Sequence, residues 1–253
     1  KDEVLKDLPA KSELTRSVEL GEAQSKLYES IRISMERKVR SAIAKNGLAR
    51  SHITILDALL KLRQVCCDPR LLKLTQAGKV KHSAKLELLM DMLPEMLEEG
   101  RRVLLFSQFT SMLALIEPEL EKQGITYSKL TGQTRKREQV IDEFKSGKTD
   151  VFLISLKAGG LGLNLTEADT VIIYDPWWNP AVEAQAADRT HRIGQNKAVF
   201  IYKLIVENSV EEKILALQDK KKLLAEGIYG KGKTDAKSIF NETDLAQLFA
   251  PLR

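Results

Sequence analysis

The chain has little cysteine and no long apolar run, and each shortage narrows what it can be. Its 253 residues hold two cysteines, the adjacent Cys66 and Cys67. Neighbouring cysteines rarely bridge each other, and no second pair is present to complete a zinc site. Both read as small buried apolar residues in a reducing compartment. No stretch approaches the roughly eighteen apolar residues of a membrane span, and no signal peptide is visible. A usable phosphate-cradling loop is also missing. Gly227–Thr234 fits the spacing GxxxxGK[ST]. Such a loop must leave a buried strand and open a helix, whereas this one follows a Lys-rich helix and enters a polar stretch. Gly147-Lys148-Thr149 fails because residue 142 is aspartate. Asp142-Glu143 lies in an amphipathic pattern with Val140, Ile141 and Phe144, so it is not a strand-end acid pair for magnesium.

What is present suits one large domain or two small ones. The formal charge is +5 and the pI about 9.0, which permits a polyanionic partner. The basic excess is local. Arg32, Arg37, Lys38, Arg40, Lys45 and Arg50 face a single acid within their run, Glu36, and Lys220, Lys221, Lys222, Lys231 and Lys233 form a second cluster. Each is read either as a solvated helix face or as a nucleic-acid contact. The chain starts at Lys1 rather than at a methionine, which reads as a fragment of a longer protein.

The middle of the chain alternates strands and helices. Apolar, β-rich runs occur at 103–106, 125–130, 151–155, 171–175 and 199–204. VLLF, VFLIS and VIIYD are nearly all apolar, as strands covered on both faces are. Helical patterns fall between them at 84–99, 111–123, 135–145 and 181–193. This predicts an α/β fold with a parallel, doubly wound sheet. Two helices with a break near Asn46-Gly47 precede it, another runs from Ser209 to about Ala225, and a tail with a short helix closes the chain. The expected division is a helical segment at 1–82, the α/β lobe at 83–226 and the tail at 227–253.

In such sheets ligands gather beyond the carboxyl ends of the strands. Those ends read Ser107-Gln108-Phe109, Thr131-Gly132-Gln133, Lys157-Ala158-Gly159-Gly160 and Asp175-Pro176-Trp177-Trp178, small, polar or aromatic where a core needs none of these. Gly159, Gly160 and Gly162 are expected to let backbone N–H groups approach a phosphate chain. A dinucleotide fingerprint fails because position 165 is leucine. The segment DPWWNPAVEAQAADRTHRIGQ, Asp175–Gln195, opens a helix at Pro180 and stops it at Gly194. Gln185, Arg189 and Arg192 are spaced four and three apart, so on a continuous helix they share one face. Two guanidiniums and an amide on one face suit an oxyanion such as a phosphate.

That segment resembles the sixth helicase motif of the Swi/Snf branch of superfamily 2, DNA-translocating ATPases with paired RecA-like lobes. FSQFTSML (106–113) resembles the fourth motif, LTGQT (130–134) the Gly turn after the next strand, and SLKAGGLGLNLTEADTVIIYD (155–175) the fifth. LRQVCCDP (62–69) and SAKLELL (83–89) resemble the segments that introduce the second lobe. The family more often has Asn-His where this chain has Cys67-Asp68, and Trp177 stands where many members carry an acid. The Trp-Trp form is similar to bacterial members and to the DNA-repair branch.

The resemblance implies a RecA-like second lobe with helical additions at both ends. ATP and Mg2+ would be held mainly by a first lobe, with Arg189 and Arg192 as arginine fingers and Gln185 positioning them. It places Gly160, Gly162 and Asn164 near the nucleotide. Ser107, Gln108, Thr131, Gly132, Lys157, Ala158, Gly159 and Trp178 would face double-stranded DNA. The implied partners are that DNA, the first lobe and a DNA-bound protein, with no membrane. The implied location is the cytoplasm and nucleoid of a bacterium, or a nucleus. The alternatives are a non-catalytic nucleic-acid-binding module and an RNA-helicase lobe. Simple binding does not need Arg189 and Arg192, and the RIGQ ending favours the DNA branch.

Overall fold

A computed structural model describes residues 8–159, 162–176, 180–228 and 240–252. The chain forms two compact units, each drawn from two stretches: 1–18 with 85–205, and 19–84 with 206–253. This differs from the three consecutive segments expected. The helices on either side of the α/β lobe belong to one unit, and the start of the chain belongs to the sheet.

The first unit is built on a six-stranded sheet in the order β1-β6-β5-β2-β4-β3. Its strands are β1 (Lys11–Val18), β2 (Val103–Ser107), β3 (Tyr127–Leu130), β4 (Val151–Ser155), β5 (Thr170–Ile173) and β6 (Val199–Val206). The pairs β2·β4, β2·β5, β3·β4 and β5·β6 are parallel. Every residue of β2, β4 and β5 is buried, which accounts for their unbroken apolar sequences. β1 was not expected. Its residues KSELTRSV are almost all exposed, so it carries no core signature, and its charges suit an edge strand that must not recruit a neighbour.

Helices α3 (Ala84–Glu98), α4 (Thr110–Lys122) and α5 (Arg137–Lys145) cover the sheet near the expected bounds. A one-turn helix α6 (Leu156–Gly159) follows β4, and α7 (Pro180–Ala187) follows β5. One core cluster joins Leu104, Phe106, Phe152, Ile154, Val171 and Ile173 of the sheet to Phe144 of α5 and to Ala186 and Ala187 at the end of α7. The Phe144 and Phe152 rings lie 5.2 Å apart and tilted by 33°, a contact worth about 0.5–1.5 kcal/mol beyond the area it buries. Lys203 of β6 reaches Glu183 of α7 at 2.8 Å, a mostly buried ion pair that fixes α7 on the sheet.

The second unit contains α1 (Glu22–Asn46), α2 (His52–Cys67), α8 (Val210–Ile228) and α9 (Glu242–Leu248). Gly47, with φ of 76°, ends α1 at the expected break. Arg32, read as part of a basic run, is buried. It pairs with Glu29 at 2.7 Å and Glu36 at 3.2 Å and donates to the Phe249 carbonyl at 2.9 Å. Arg40 pairs with Glu36 and Lys38 with Asp57 of α2, so half of that run is neutralised inside the unit. Glu36 lies within the run, but Glu29 comes from one turn earlier and Asp57 from the next helix, which a count within the run misses. The Cys67-Asp68 departure also has a structural role. Asp68 is buried, caps the turn Pro69–Leu71 and accepts two bonds from the Arg70 guanidinium, while the Cys67 carbonyl accepts from Ser83 Oγ at 2.8 Å.

Among the described residues, no helix is long and apolar enough to cross a membrane. The GxxxxGK[ST] match begins on the last two residues of α8, a helix and not a strand, and its remainder lies outside the described residues.

Candidate functional site

Parallel pairing sends four strand ends to one edge. The register aligns Leu130 with Ile154, Ile154 with Phe106, and Phe106 with Ile173. The residues one step further, Thr131, Ser155, Ser107 and Tyr174, therefore form the rim on which every loop of interest begins.

Asp175 ties this rim together. Its fully buried carboxylate accepts from Ser107 Oγ at 2.5 Å and from the Gln108 amide at 2.9 Å, while Ser107 Oγ also accepts from the Phe109 amide at 3.1 Å. Ser107 was expected to face a ligand. It is buried and its hydroxyl is bonded to Asp175 and Phe109, so it corrects to a residue that shapes the loop, while Gln108 beside it is exposed. Lys85 was not anticipated as a site residue. Wholly buried, it donates to the Tyr174 carbonyl at 2.9 Å and stands 5.4 Å from the Tyr174 ring centre. A lysine on the apolar face of SAKLELL was the available signal.

After β3, Thr131 closes its own turn. Its hydroxyl accepts from the Gln133 amide at 3.2 Å, and its amide donates to Thr134 Oγ1 at 2.9 Å. Gly132 is left exposed. After β4 the chain forms α6 instead of a glycine loop. Lys157 is exposed, but Ala158 and Gly159 are buried, against the expectation that they face a ligand. A Cβ on Gly159 would stand 3.0 Å from Phe106 Cε1, so packing and not ligand access requires glycine there. Gly162 is different. It is exposed, with φ of 71° and no atom within 4 Å of where a Cβ would stand, so it needs glycine for backbone conformation alone. Asn164 nearby is exposed. Gly160, Trp177 and Trp178 lie outside the described residues.

The arginines do not share a helix face. α7 ends at Ala187, and the next amides turn inward with short-range bonds, Arg189 N to Ala186 O at 3.2 Å and Thr190 N to Ala187 O at 3.1 Å. Gln185 is exposed on α7, Arg189 is 5% exposed, and Arg192 is exposed in the following turn. The early stop has a cause: Thr190 Oγ1 bonds the Ala187 carbonyl at 3.0 Å, and Gly194 turns the chain back with φ of 100°. Arg189 is absorbed into the protein. Its Nη1 donates to the Leu163 carbonyl at 3.4 Å, its carbonyl accepts from the Leu165 amide at 3.0 Å, and its buried Nε has no partner among the described residues. Burial, reinforced by the Arg192 charge and opposed by Asp188, pulls its pKa below the ordinary guanidinium value. Arg192 and Lys157 each lack a hydrogen-bond or ion-pair partner for their side chains among the described residues.

Gln195, the last residue of the motif, was not expected to matter. It is buried, and its Nε2 lies 3.1 Å from Thr166 O, 2.8 Å from Ala168 O and 3.0 Å from Thr190 O, while Oε1 accepts from the Lys197 amide at 3.0 Å.

The rim thus presents the exposed amine of Lys157 and the exposed amide of Gln108, and the turn after α7 the exposed guanidinium of Arg192, donors suited to phosphate oxygens. No group of acids or histidines able to hold a metal occurs among the described residues.

Comparison with known proteins agrees with this chemistry. Residues 84–194 match the helicase conserved C-terminal domain, and residues 1–71 match the SNF2-related domain. An uncharacterized ATP-dependent helicase of Mycoplasma genitalium is 37% identical over 252 residues, 98% of this chain and 24% of that protein. The ISWI chromatin-remodeling complex ATPase of Saccharomyces cerevisiae is 36% identical over 256 residues, 96% of this chain and 22% of that protein. The Sulfolobus solfataricus SWI2/SNF2 ATPase C-terminal domain is 30% identical, with a TM-score of 0.73 over 94% of this chain and 97% of that one. The core of the same ATPase, solved in complex with dsDNA, is 30% identical with a TM-score of 0.74 over 98% of this chain and 52% of that one. The chain spans about a quarter of the length of the curated relatives it matches. Its parallel RecA-like sheet, its motifs in order and these matches together place it in the Swi/Snf-type family of ATP-dependent helicases.

Proposed function

We propose that this chain is the second motor lobe of an ATP-dependent double-stranded DNA translocase of the protein–DNA-remodelling kind. The observation that carries this is Arg192: exposed, with no side-chain partner among the described residues, and held on a turn that is cross-bonded to the loop carrying Gly162 and Asn164. On closure against a first lobe, Arg192 meets the terminal phosphate of ATP and stabilises the charge of the transition state, an effect worth roughly 10³–10⁵ in rate in related chemistry. Arg189 backs it from within the loop, and Gln185 stands on the approach to it. Gly162 and Asn164 line the nucleotide side. ATP and Mg2+ belong mainly to the first lobe, because the donors on this edge suit phosphate and not a divalent cation.

DNA lies across the rim, on Gln108, Gly132 and Lys157, with Ser107, Thr131, Ala158 and Gly159 shaping the backbone beneath. Contacts of this kind go to phosphates and carry no sequence preference. The dsDNA complex of the Sulfolobus core supports this reading, and the yeast remodelling ATPase supports a DNA-bound protein as the target.

The test is a paired measurement, on the full-length protein, of saturated ATP turnover and DNA dissociation constant. Arg192→Ala should lose turnover and keep DNA affinity; Lys157→Ala should do the reverse. Recovery of Arg192→Ala by excess DNA would overturn the assignment. The isolated chain should hydrolyse no ATP, and DNA-stimulated turnover by it would argue against a first-lobe requirement.

A further inference from the structure

We infer that Gln195 is a positioning residue for the arginine turn, the latch that holds Arg192 on the loop leading from Gly162. The inference rests on the reading of Arg192 given above. Three links join the two segments. The Leu165 amide donates to the Arg189 carbonyl at 3.0 Å, and Arg189 Nη1 donates to the Leu163 carbonyl at 3.4 Å. The third is the Gln195 side-chain amide, which no backbone group can replace. Its Nε2 sits among the carbonyls of Thr166, Ala168 and Thr190, so one NH2 group spans the loop after Asn164, the lead-in to β5 and the arginine turn itself. Its Oε1 fixes the start of the run into β6 through the Lys197 amide. The Gln195 backbone amide in turn donates to the Arg192 carbonyl at 3.0 Å, so the latch grips the arginine directly through the main chain.

Two features separate this from ordinary filling of a core. Gln195 is buried at 5% exposure, and both ends of its side-chain amide are bonded, which is the condition under which a buried polar group holds one conformation. Ahead of Arg192 the turn is held by the His191 ring, whose Nε2 lies 2.9 Å from the Pro9 carbonyl oxygen, but after it Gln195 is the anchor: Ile193 is 75% exposed and Gly194 adopts φ of 100°, so neither anchors by packing. Without the latch, Arg192 stays on the surface but loses its fixed direction. An arginine finger acts only when its direction is set before the transition state forms.

The experiment uses the full-length protein with Gln195→Leu and Gln195→Glu beside Arg192→Ala. Both Gln195 variants should lower saturated turnover by about tenfold to a hundredfold at neutral pH, the scale set by a small misplacement of a catalytic group, with KM for ATP and half-saturating DNA unchanged. Gln195→Glu keeps the acceptor for Lys197 but turns a carboxylate toward three carbonyls. Burial and those oxygens raise its pKa, and its protonated form regains one donor. Its turnover relative to wild type should therefore climb as the pH is lowered towards about 6, within the range to which proteins tune glutamate. Gln195→Leu should show no such climb. If the leucine variant does not fold, the acid recovery of the glutamate variant decides alone. Wild-type turnover in the Gln195 variants beside an inactive Arg192→Ala overturns the latch and spares the finger. An active Arg192→Ala overturns the finger, and a loss at Gln195 beside it shows that Gln195 acts by another route. A loss spread equally over turnover, KM and DNA binding, or a glutamate variant flat with pH, also overturns the latch.

Discussion

The two ends of the sheet are built from the same strands and do opposite things with their charges. At the end where β2, β4 and β5 begin, polar groups close on one another. The Asp169 carboxylate accepts from the Arg102 amide at 3.1 Å, and the Arg102 guanidinium bonds the Thr149 carbonyl at 3.1 Å while lying 4.3 Å from the Phe144 ring centre. Ser128 meets Thr149 hydroxyl to hydroxyl at 2.7 Å. At the end where the strands finish, Asp175 and Thr131 are equally well bonded, yet the Lys157 side chain stands outside them without a partner among the described residues, as does that of Arg192 on the turn after α7. One end uses its polar groups to close the fold. The other uses buried polar groups to shape a rim from which Lys157 points outward, which is an arrangement for a polyanion brought from elsewhere.

The sharpest way to break this comparison is to remove one cation that lacks a partner and one that has an acid beside it. Arg192→Ala in the full-length protein should cut saturated turnover by about two decades or more, while DNA affinity without nucleotide stays as it was. Arg192→Lys should fail nearly as badly, because an ammonium cannot reproduce the planar fork. Lys197→Ala is the control, a nearby cation that does have an acidic neighbour. Its amine is 3.8 Å from Asp169 and its side chain 61% exposed, so its loss should not be felt in turnover. Equal losses in the two variants would dissolve the distinction between the unpartnered and the partnered cation.

How much of this the sequence disclosed depends on whether a residue's role is local. The strands β2, β4 and β5 were readable because burial on both faces leaves an unbroken apolar run. β1 was not, since an exposed edge strand has no core face to declare itself. Spacing alone put Arg189 and Arg192 on one helix face, but a hydroxyl three residues past the helix, Thr190, and the left-handed Gly194 end α7 early and separate them. Gly159 and Gly162 look alike in the motif, yet one is small because Phe106 presses on it and the other because of its φ. The roles of Ser107 and Gln195 depend on partners 68 and 27 residues away, beyond any local pattern.

The next effects are on stability and sharpen the contrast between rim and ligand surface. Asp175→Ala leaves the buried Ser107 hydroxyl and the part-buried Gln108 amide without their acceptor and should cost about 1–3 kcal/mol in chemical denaturation, the penalty for one orphaned buried group. Asp175→Asn, which keeps an acceptor oxygen, should cost less. A second pair follows. Gly159→Ala should cost about 1–3 kcal/mol, because the added methyl meets the Phe106 ring at 3.0 Å in a packed core. Gly162→Ala meets no atom and should cost only the left-handed backbone penalty, about 1 kcal/mol. If Gly162→Ala proves the more damaging of the two to stability, the packing account of Gly159 is wrong.

The smallest expected effect separates the two exposed lysines by salt. Lys157 and Lys197 carry the same charge at opposite ends of the sheet, so non-specific attraction to DNA would treat them alike. Direct neutralisation of a phosphate would not. Each phosphate neutralised contributes about −0.9 to the slope of log K against log salt, so Lys157→Ala should flatten that slope by about one contact. Lys197→Ala should leave the slope unchanged, because its nearest charge is already Asp169. The measurement is a titration of duplex DNA against the full-length protein and both variants over a series of salt concentrations. Affinity at one salt would not suffice, since a change in net charge alone shifts it for both. Slopes that fall equally for the two lysines would mean that DNA senses only overall charge, and the strand-end surface would lose its claim to be a site.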